Sequence, residues 1–227
     1  MSRNYYAASL ALVLVCAACA FAAQATVVPK QDEVQKLYNE GNYKEAYDGF
    51  RKRALDKQTD PREVGTDLSM GIQCLQRLNR ANEIDKFREE TIAVHSENWR
   101  LLKAAAHTLQ YGPHDGFIIA GEFERGGHRG GGQHASSLQR DRVRALQLMQ
   151  QALPLLNQED SKPEVAQFYR EFADMLLQNR SGGEAWRLQY LTDLQTLPDY
   201  EVGGRYYGFG GTQGAPVDAE GNPTGAI

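Results

Sequence analysis

The chain contains too few cysteines for a fold that depends on disulfides. Three of its 227 residues are cysteine, and Cys16 and Cys19 both lie near the amino terminus. Beyond them only Cys74 remains, so the rest of the chain cannot form an internal disulfide. Cys74 lies among apolar residues at helical spacing, and we expect it to be a small buried apolar side chain and not a reactive thiol.

The sequence also lacks an excess of positive charge and a long apolar run. The formal net charge is -4, and a mildly acidic chain is a poor general binder of nucleic acid. The apolar stretch from Ala7 to Ala20 is short for a membrane-spanning helix, which needs about 20 apolar residues. We therefore expect no nucleic-acid partner, and no stable membrane span once the amino-terminal leader has been removed.

Residues 1–25 are typical of a secretory signal peptide. Arg3 supplies positive charge, the stretch from Ala7 to Ala20 is apolar, and residues 23–25 (Ala-Gln-Ala) form a cleavage site of small residues. The segment predicts export with cleavage after residue 25, which places the mature chain in the periplasm or outside the cell. A lipoprotein signal is the alternative, because small residues precede Cys19.

Residues 26–197 predict an all-α domain of antiparallel helical pairs. A turn at Gly41 separates two apolar-periodic segments, and Ala46 and Phe50 follow where two helices would approach each other. Turns near Gly41, Asn79 and Gly112 recur at intervals of 38 and 33 residues, which suits helical-hairpin repeats of ~34–47 residues. The predicted array is therefore tetratricopeptide-like. Its clearest amphipathic stripe consists of Val165, Phe168, Tyr169, Phe172 and Leu176.

The helical period is interrupted once and later stops. A Gly-rich non-helical insert is predicted at about residues 111–136, which is long for a loop in a compact domain. Helices then resume, and the last one is predicted from Glu184 to about Thr196. Residues 198–227 are rich in glycine and tyrosine, and they predict an irregular tail that is compatible with a linker to a further domain.

No catalytic or cofactor-binding motif stands out. The glycines after Arg125 are not followed by the Gly-Lys-Ser/Thr of a phosphate-binding loop, and no strand is predicted before them. The histidine spacing fits no metal-ligand template, so we predict no metal site. Because no catalytic or cofactor-binding motif is recognisable, we also predict no cofactor and no enzymatic activity. The alternative is a metal-binding or hydrolytic envelope protein that uses the clustered side chains His107, His114, Asp115, His128 and His134.

Three stretches carry a resemblance to a known family. They are residues 121–132 (Gly-Glu-Phe-Glu-Arg-Gly-Gly-His-Arg-Gly-Gly-Gly), 141–146 (Asp-Arg-Val-Arg-Ala-Leu) and 215–223 (Ala-Pro-Val-Asp-Ala-Glu-Gly-Asn-Pro). Together they resemble the helical amino-terminal region of large exported bacterial proteins of the alpha-2-macroglobulin family. The resemblance implies part of a protease-inhibitor protein. Many members trap proteases with a Cys-x-Glu-Gln thioester, but residues 74–77 read Cys-Leu-Gln-Arg, so that activity is not carried over.

The sequence thus predicts a non-enzymatic exported scaffold that binds a protein partner in the cell envelope. The insert is the predicted recognition segment, because an irregular segment between buried helices can carry specificity at small cost to the core. Phe117, Ile118 and Phe123 would hold its start. The charged side chains of Glu122, Glu124, Arg125 and Arg129 would remain free to pair with a partner. The alternative is that the insert only caps the helical stack. The predicted partner-binding residues are Glu122, Phe123, Glu124, Arg125, His128 and Arg129.

Mass spectrometry of the protein exported by a bacterial host tests the leader. We expect an amino terminus at Thr26, because residues 23–25 present small side chains to the signal peptidase. Ala23→Leu combined with Ala25→Leu should retain the leader and serves as the control. A lipid-modified Cys19 at the amino terminus would contradict the prediction.

Overall fold

The computed structural model describes residues 28–159, 161–177 and 194–203. The predicted signal peptide, most of the predicted last helix and most of the predicted tail lie outside these ranges. Residues 194–196, the end of that predicted helix, are described and are not helical. The prediction is therefore wrong at these three positions.

The described part of the chain is mostly helical, which confirms the coarse prediction of fold. The described helices pack against one another through their apolar faces. Short 3-10 segments precede α4 (Ala81–Glu83) and follow α6 (Leu153–Gln158). The helices are α1 (Gln31–Asn39), α2 (Tyr43–Ala54), α3 (Val64–Arg77), α4 (Ile84–Val94), α5 (Trp99–Gln110), α6 (Leu138–Ala152) and α7 (Lys162–Leu177).

Small residues let the first helices approach closely. Gly41 adopts a φ of 84° between α1 and α2, a conformation that favours glycine. A Cβ atom on Gly49 of α2 would lie 2.8 Å from the methyl groups of Val34 in α1. Gly71 in α3 similarly leaves room for the ring of Phe87 in α4. The close packing predicted around the first turn is therefore present, with Ala46 fully buried.

The helices enclose one apolar core. Cys74 is fully buried in it, as the sequence predicts, and burial raises the pKa of its thiol to about 11 because the thiolate is poorly solvated there. The largest fully buried side chains are those of Phe50, Leu68, Leu75, Ile84, Phe87, Leu101, Leu102, Leu146, Leu148, Met149 and Phe168. None of the described helices is both long enough and apolar enough to cross a membrane.

A buried ion pair joins α2 to α3. The Nε atom of Arg53 lies 3.0 Å from both carboxylate oxygens of Asp67, and Asp67 is fully buried. The same guanidinium donates to Glu63 at 2.5 Å and to the carbonyl oxygen of Pro29 at 3.0 Å. Burial raises the pKa of Asp67 above its ordinary value, and the bonds from Arg53 offset this only in part.

The predicted insert is a small antiparallel sheet, so the all-α prediction is wrong there. Its strands are β1 (Asp115–Ile119), β2 (Glu122–Arg125) and β3 (Gln133–Ser136). A fourth strand, β4 (Glu201–Val202), comes from the carboxy-terminal segment, and the strand order is β2-β1-β3-β4. Aromatic and β-branched side chains in β1 fit a pleated, half-buried surface, which explains its conformation.

The turn between β1 and β2 sets the register of the hairpin. Ala120 and Gly121 both have positive φ, at 51° and 89°. Two such residues form a tight hairpin turn, and Ile119 consequently pairs with Glu122. Alanine at the first turn position is unusual, since Asn or Asp is preferred there. The dipeptide Ala120-Gly121 therefore does not match the Asn-Gly or Asp-Gly pattern by which such a hairpin is usually recognised in a sequence.

Substitutions in α7 test how the last described helix packs. Phe168 is fully buried, with its ring 5.9 Å from that of Trp99, whereas Phe172 is partly buried and Tyr169 is 53% exposed. Tyr169 was predicted to face inward, and its exposure corrects that prediction. We expect Phe168→Ala to lower the free energy of unfolding by about 3–5 kcal/mol and Phe172→Ala to lower it by less.

Urea unfolding of the purified chain measures both changes. Tyr169→Ala is the matched control, and an exposed aromatic side chain should contribute within about 0.5 kcal/mol. Equal losses for Phe168→Ala and Tyr169→Ala would contradict the packing of α7 on the core.

Candidate functional site

The alternation of side chains along β2 sorts the predicted partner-binding residues onto two faces. Successive residues of a strand point to opposite faces of a sheet. Glu122 and Glu124 are exposed, whereas Phe123 is partly buried and Arg125 is only 5% exposed. The strand therefore presents two carboxylates to solvent and directs an aromatic ring and a guanidinium toward the helices.

The guanidinium of Arg125 is held by two carboxylates from two different helices. Its Nη1 and Nη2 atoms donate to the two oxygens of Asp141 in α6, at 2.8 and 2.9 Å. Its Nε atom lies 3.1 and 3.0 Å from the oxygens of Asp85 in α4. The carbonyl oxygen of Pro113 accepts a further bond from Nη1. Such paired, two-pronged contacts fix orientation as well as charge, so β2 is clamped to both helices.

Asp141 accepts more than the arginine. The hydroxyl of Ser137 donates to its Oδ2 atom at 2.6 Å, and Nδ1 of His114 lies 2.8 Å from the same oxygen. Burial opposes ionisation of Asp141, but hydrogen bonds from His114, Arg125 and Ser137 outweigh it and hold the pKa of the carboxyl below its ordinary value. Burial also opposes the charge on Arg125, yet Asp141 and Asp85 raise the pKa of the guanidinium. We call Arg125, Asp85, Asp141, Ser137 and His114 the arginine clamp.

The clamp continues into α4 and α5 through a second buried arginine. Arg88 is 2% exposed, and its Nη1 atom donates to Oδ1 of Asp85 at 2.6 Å. Its Nε atom donates to the hydroxyl of Thr108 in α5 at 2.9 Å. Asp85 therefore bridges two guanidinium groups, and Arg88 extends the network to one more helix, α5.

Serine, histidine and aspartate meet in the clamp, but their geometry is that of a structural network. In a nucleophilic triad, the histidine lies between the serine and the aspartate and takes the serine proton. Here Ser137 is fully buried, and its single hydroxyl proton is donated to Asp141 at 2.6 Å, while the carbonyl oxygen of His114 lies 3.0 Å from the hydroxyl oxygen. Ser137 and His114 thus both stabilise the carboxylate of Asp141, and His114 is not placed to take the proton of Ser137.

The expectation that Arg125 remains free to pair with a partner is wrong. Arg125 lies in a Gly-rich segment, where a charged residue is typical of the surface, and the sequence does not identify its partners Asp85 and Asp141. One signal was available for Asp141, because it lies one helical turn before the buried residue Ala145 and shares its face. A carboxylate on an apolar face indicates a buried cationic partner.

The outward face of the sheet is the candidate interaction surface. In the register of the sheet, Phe117 lies opposite Glu124 and His134, and Ile119 lies opposite Glu122. Phe117 and Ile119 are partly buried, and the ring of Phe117 is 5.6 Å from that of His134. We define the outward sheet face as Asp115, Phe117, Ile119, Glu122, Glu124, His134 and Glu201.

The Gly-rich loop between β2 and β3 borders this face. His128 and Arg129 are exposed on it, and the ring of His128 lies 6.1 Å from that of Phe117. Gly132 approaches the outward face closely, since a Cβ atom there would lie 3.2 Å from the side chain of Ile119. Of the six predicted partner-binding residues, the structure therefore exposes Glu122, Glu124, His128 and Arg129.

Phe123 lies on the opposite face of the sheet. Its ring stacks on that of Tyr200 with centroids 4.3 Å apart and planes at 12°. Gly116 in the neighbouring strand makes room, because a Cβ atom there would lie 2.6 Å from the Phe123 ring. The guanidinium of Arg125 lies 5.6 Å from the ring centroid. Phe123 is therefore a packing residue between the clamp and the carboxy-terminal segment.

The structure separates the histidines that were considered as metal ligands. His107 contacts Glu171 at 3.0 Å, His114 belongs to the clamp, and His134 lies 3.5 Å from Asp115. His128 is exposed on the loop. Within residues 28–159, 161–177 and 194–203, no group of three or more histidine, cysteine or acidic side chains is arranged to hold a metal ion.

Comparison of the chain with family models, with curated proteins and with solved structures finds no match.

Acid titration of stability tests the clamp. The folded-state pKa of Asp141 lies below the ordinary value, so the ionised carboxylate stabilises the fold above about pH 4. This contribution is lost as the pH falls through the folded-state pKa. We expect Asp141→Asn to cost about 3–5 kcal/mol near neutral pH, since it leaves a buried guanidinium underpaired, and the difference from wild type to shrink below about pH 4.

Denaturant unfolding at a series of pH values provides the measurement. Asp174→Asn is the control, because Asp174 is an exposed carboxylate on α7. A difference between wild type and Asp141→Asn that is independent of pH would contradict the ionised state of Asp141.

Proposed function

We propose that the chain is a non-enzymatic, exported scaffold that binds another protein through the outward sheet face. The observation that carries the proposal is the division of β2, in which Arg125 anchors the strand while Glu122 and Glu124 point to solvent. A surface held rigid before binding loses little conformational entropy when a partner docks. The clamp supplies that rigidity to a sheet of short strands.

The chemistry of the outward sheet face favours a partner with basic and apolar side chains. Four carboxylates are exposed on it, those of Asp115, Glu122, Glu124 and Glu201. Between them lie the partly buried side chains of Phe117 and Ile119. A central apolar area with charged residues around it is the usual anatomy of a protein interface. Complementary charge at its edge would steer the encounter.

Three further parts of the proposal rest on sequence. The helical pairs are proposed to be tetratricopeptide-like hairpins, a frame that commonly serves protein binding. The leader supports export to the periplasm or beyond. The resemblance to the alpha-2-macroglobulin family supports a partner in the cell envelope, such as another part of an alpha-2-macroglobulin-like protein. On this reading the exposed His128 and Arg129 lie at the rim of the interface.

Site-specific photocrosslinking tests the proposal. A photoreactive residue at position 124 should crosslink one envelope protein, and the same residue at Gln76, exposed on α3, should not. The crosslinked protein is then purified, and its affinity for the chain is measured at increasing salt. We expect affinity to fall with salt, because complementary exposed charges are screened.

Charge-neutral variants complete the test. Glu122→Gln combined with Glu124→Gln should weaken binding by about 3–10-fold, since exposed ion pairs contribute little each, and should leave the melting temperature unchanged. Glu33→Gln combined with Glu45→Gln removes the same charge from exposed positions on α1 and α2 and should not alter binding. Unchanged affinity in the first variant, or equal crosslinking from position 76, would overturn the proposal.

A further inference from the structure

The carboxy-terminal segment of the described chain lies across α6 and joins the sheet. We call residues 194–203 the strap. The side chain of Gln147 in α6 donates to the carbonyl oxygen of Leu194 at 2.7 Å. At the other end, Ser136 pairs with Glu201 and Ala135 with Val202, and the N–H of Gly203 donates to the carbonyl oxygen of His134 at 3.0 Å. The strap thus binds as an extended peptide binds to the edge of a sheet.

One side chain of the strap is held in a defined slot. The ring of Tyr200 stacks on Phe123 at 4.3 Å, and the guanidinium of Arg140 lies 4.9 Å from the Tyr200 centroid. Arg140 also donates from Nη1 to the carbonyl oxygen of Pro198 at 2.9 Å. We call Phe123 and Arg140 the tyrosine slot. Stacking and cation–π contact select an aromatic side chain at this position.

The remaining contacts of the strap place few demands on its sequence. The ladder between β3 and β4 joins two residue pairs, and its hydrogen bonds come from the main chain. Val202 is 51% exposed, and Glu201 is exposed. A site that binds its ligand through main-chain hydrogen bonds and one aromatic slot accepts any extended segment with an aromatic residue in register. A ladder this short also gives little stability of its own.

We propose that the edge of β3 and the tyrosine slot form a peptide-binding site that the strap occupies within its own chain. The ligand is an extended segment of another protein that carries an aromatic residue in the register of Tyr200. This site uses the inner face and the β3 edge of the sheet, and it shares only Glu201, which the strap contributes, with the outward sheet face. Because the strap is covalently attached, it competes with the ligand and lowers its apparent affinity.

A labelled peptide with the sequence of residues 194–203 (Leu-Gln-Thr-Leu-Pro-Asp-Tyr-Glu-Val-Gly) is the probe. Its binding to the full chain is measured by fluorescence anisotropy. In full-length Tyr200→Ala the strap loses its aromatic contact, and we expect the peptide to bind about 5–50-fold more tightly than to wild type. A peptide with alanine in place of tyrosine should not bind to either protein.

Second-site variants show whether the peptide uses the slot. Adding Arg140→Gln to Tyr200→Ala should weaken peptide binding, and Phe123→Ala should do the same if that variant retains its melting transition. Glu122→Gln with Glu124→Gln should leave peptide binding unchanged. The test of peptide binding at the tyrosine slot can therefore fail independently of the test of partner binding at the outward sheet face.

Three results would overturn the inference. The peptide could fail to bind Tyr200→Ala, or the alanine peptide could bind as well as the tyrosine peptide. Third, wild type could form a dimer that Tyr200→Ala dissociates in analytical ultracentrifugation. That outcome would assign the site to the strap of a second copy of this chain, and not to another protein.

Discussion

The buried guanidinium of Arg125 is the interaction on which the position of the sheet depends. A sheet of two- to five-residue strands has little stability of its own, so it must be attached to the helices. Arg125 attaches it by reaching Asp85 in α4 and Asp141 in α6 at once. A buried charge without such partners would be strongly destabilising. The conformation that satisfies it is therefore the one in which β2 lies against both helices.

Two buried arginine–aspartate pairs in the described part of the chain illustrate what makes such a pair favourable. Asp67 accepts hydrogen bonds from Arg53 and Gln31, and burial nevertheless raises the pKa of its carboxyl. Asp141 is also buried, yet its pKa is lowered, because Ser137 and His114 donate to it in addition to Arg125. The difference lies in the number of donors around the carboxylate, which must replace the lost water. The clamp on the sheet is thus better compensated than the pair between α2 and α3.

Much of the helical frame could be predicted from the sequence, whereas the sheet and the clamp could not. Helices show a local period, and the turn at Gly41 and the buried Cys74 followed from it. The strands are too short for an alternating pattern to be recognised, and β4 pairs with a strand more than 60 residues earlier. The partners of Arg125 lie 40 and 16 residues away in sequence. Contacts of this kind are set by the tertiary structure and leave little local trace.

Phe123 connects the parts of the molecule that would otherwise act separately. Its ring contacts Tyr200 of the strap on one side and lies 5.6 Å from the guanidinium of Arg125 on the other. Its two neighbours in β2 are Glu122 and Glu124, which belong to the outward sheet face. Successive side chains of a strand share one backbone, so a rotation of the β2 backbone at Phe123 would also move Glu122 and Glu124. The packing of the strap against Phe123 therefore affects how rigidly those carboxylates are held. A single four-residue strand therefore links the buried charge, the docked segment and the exposed surface.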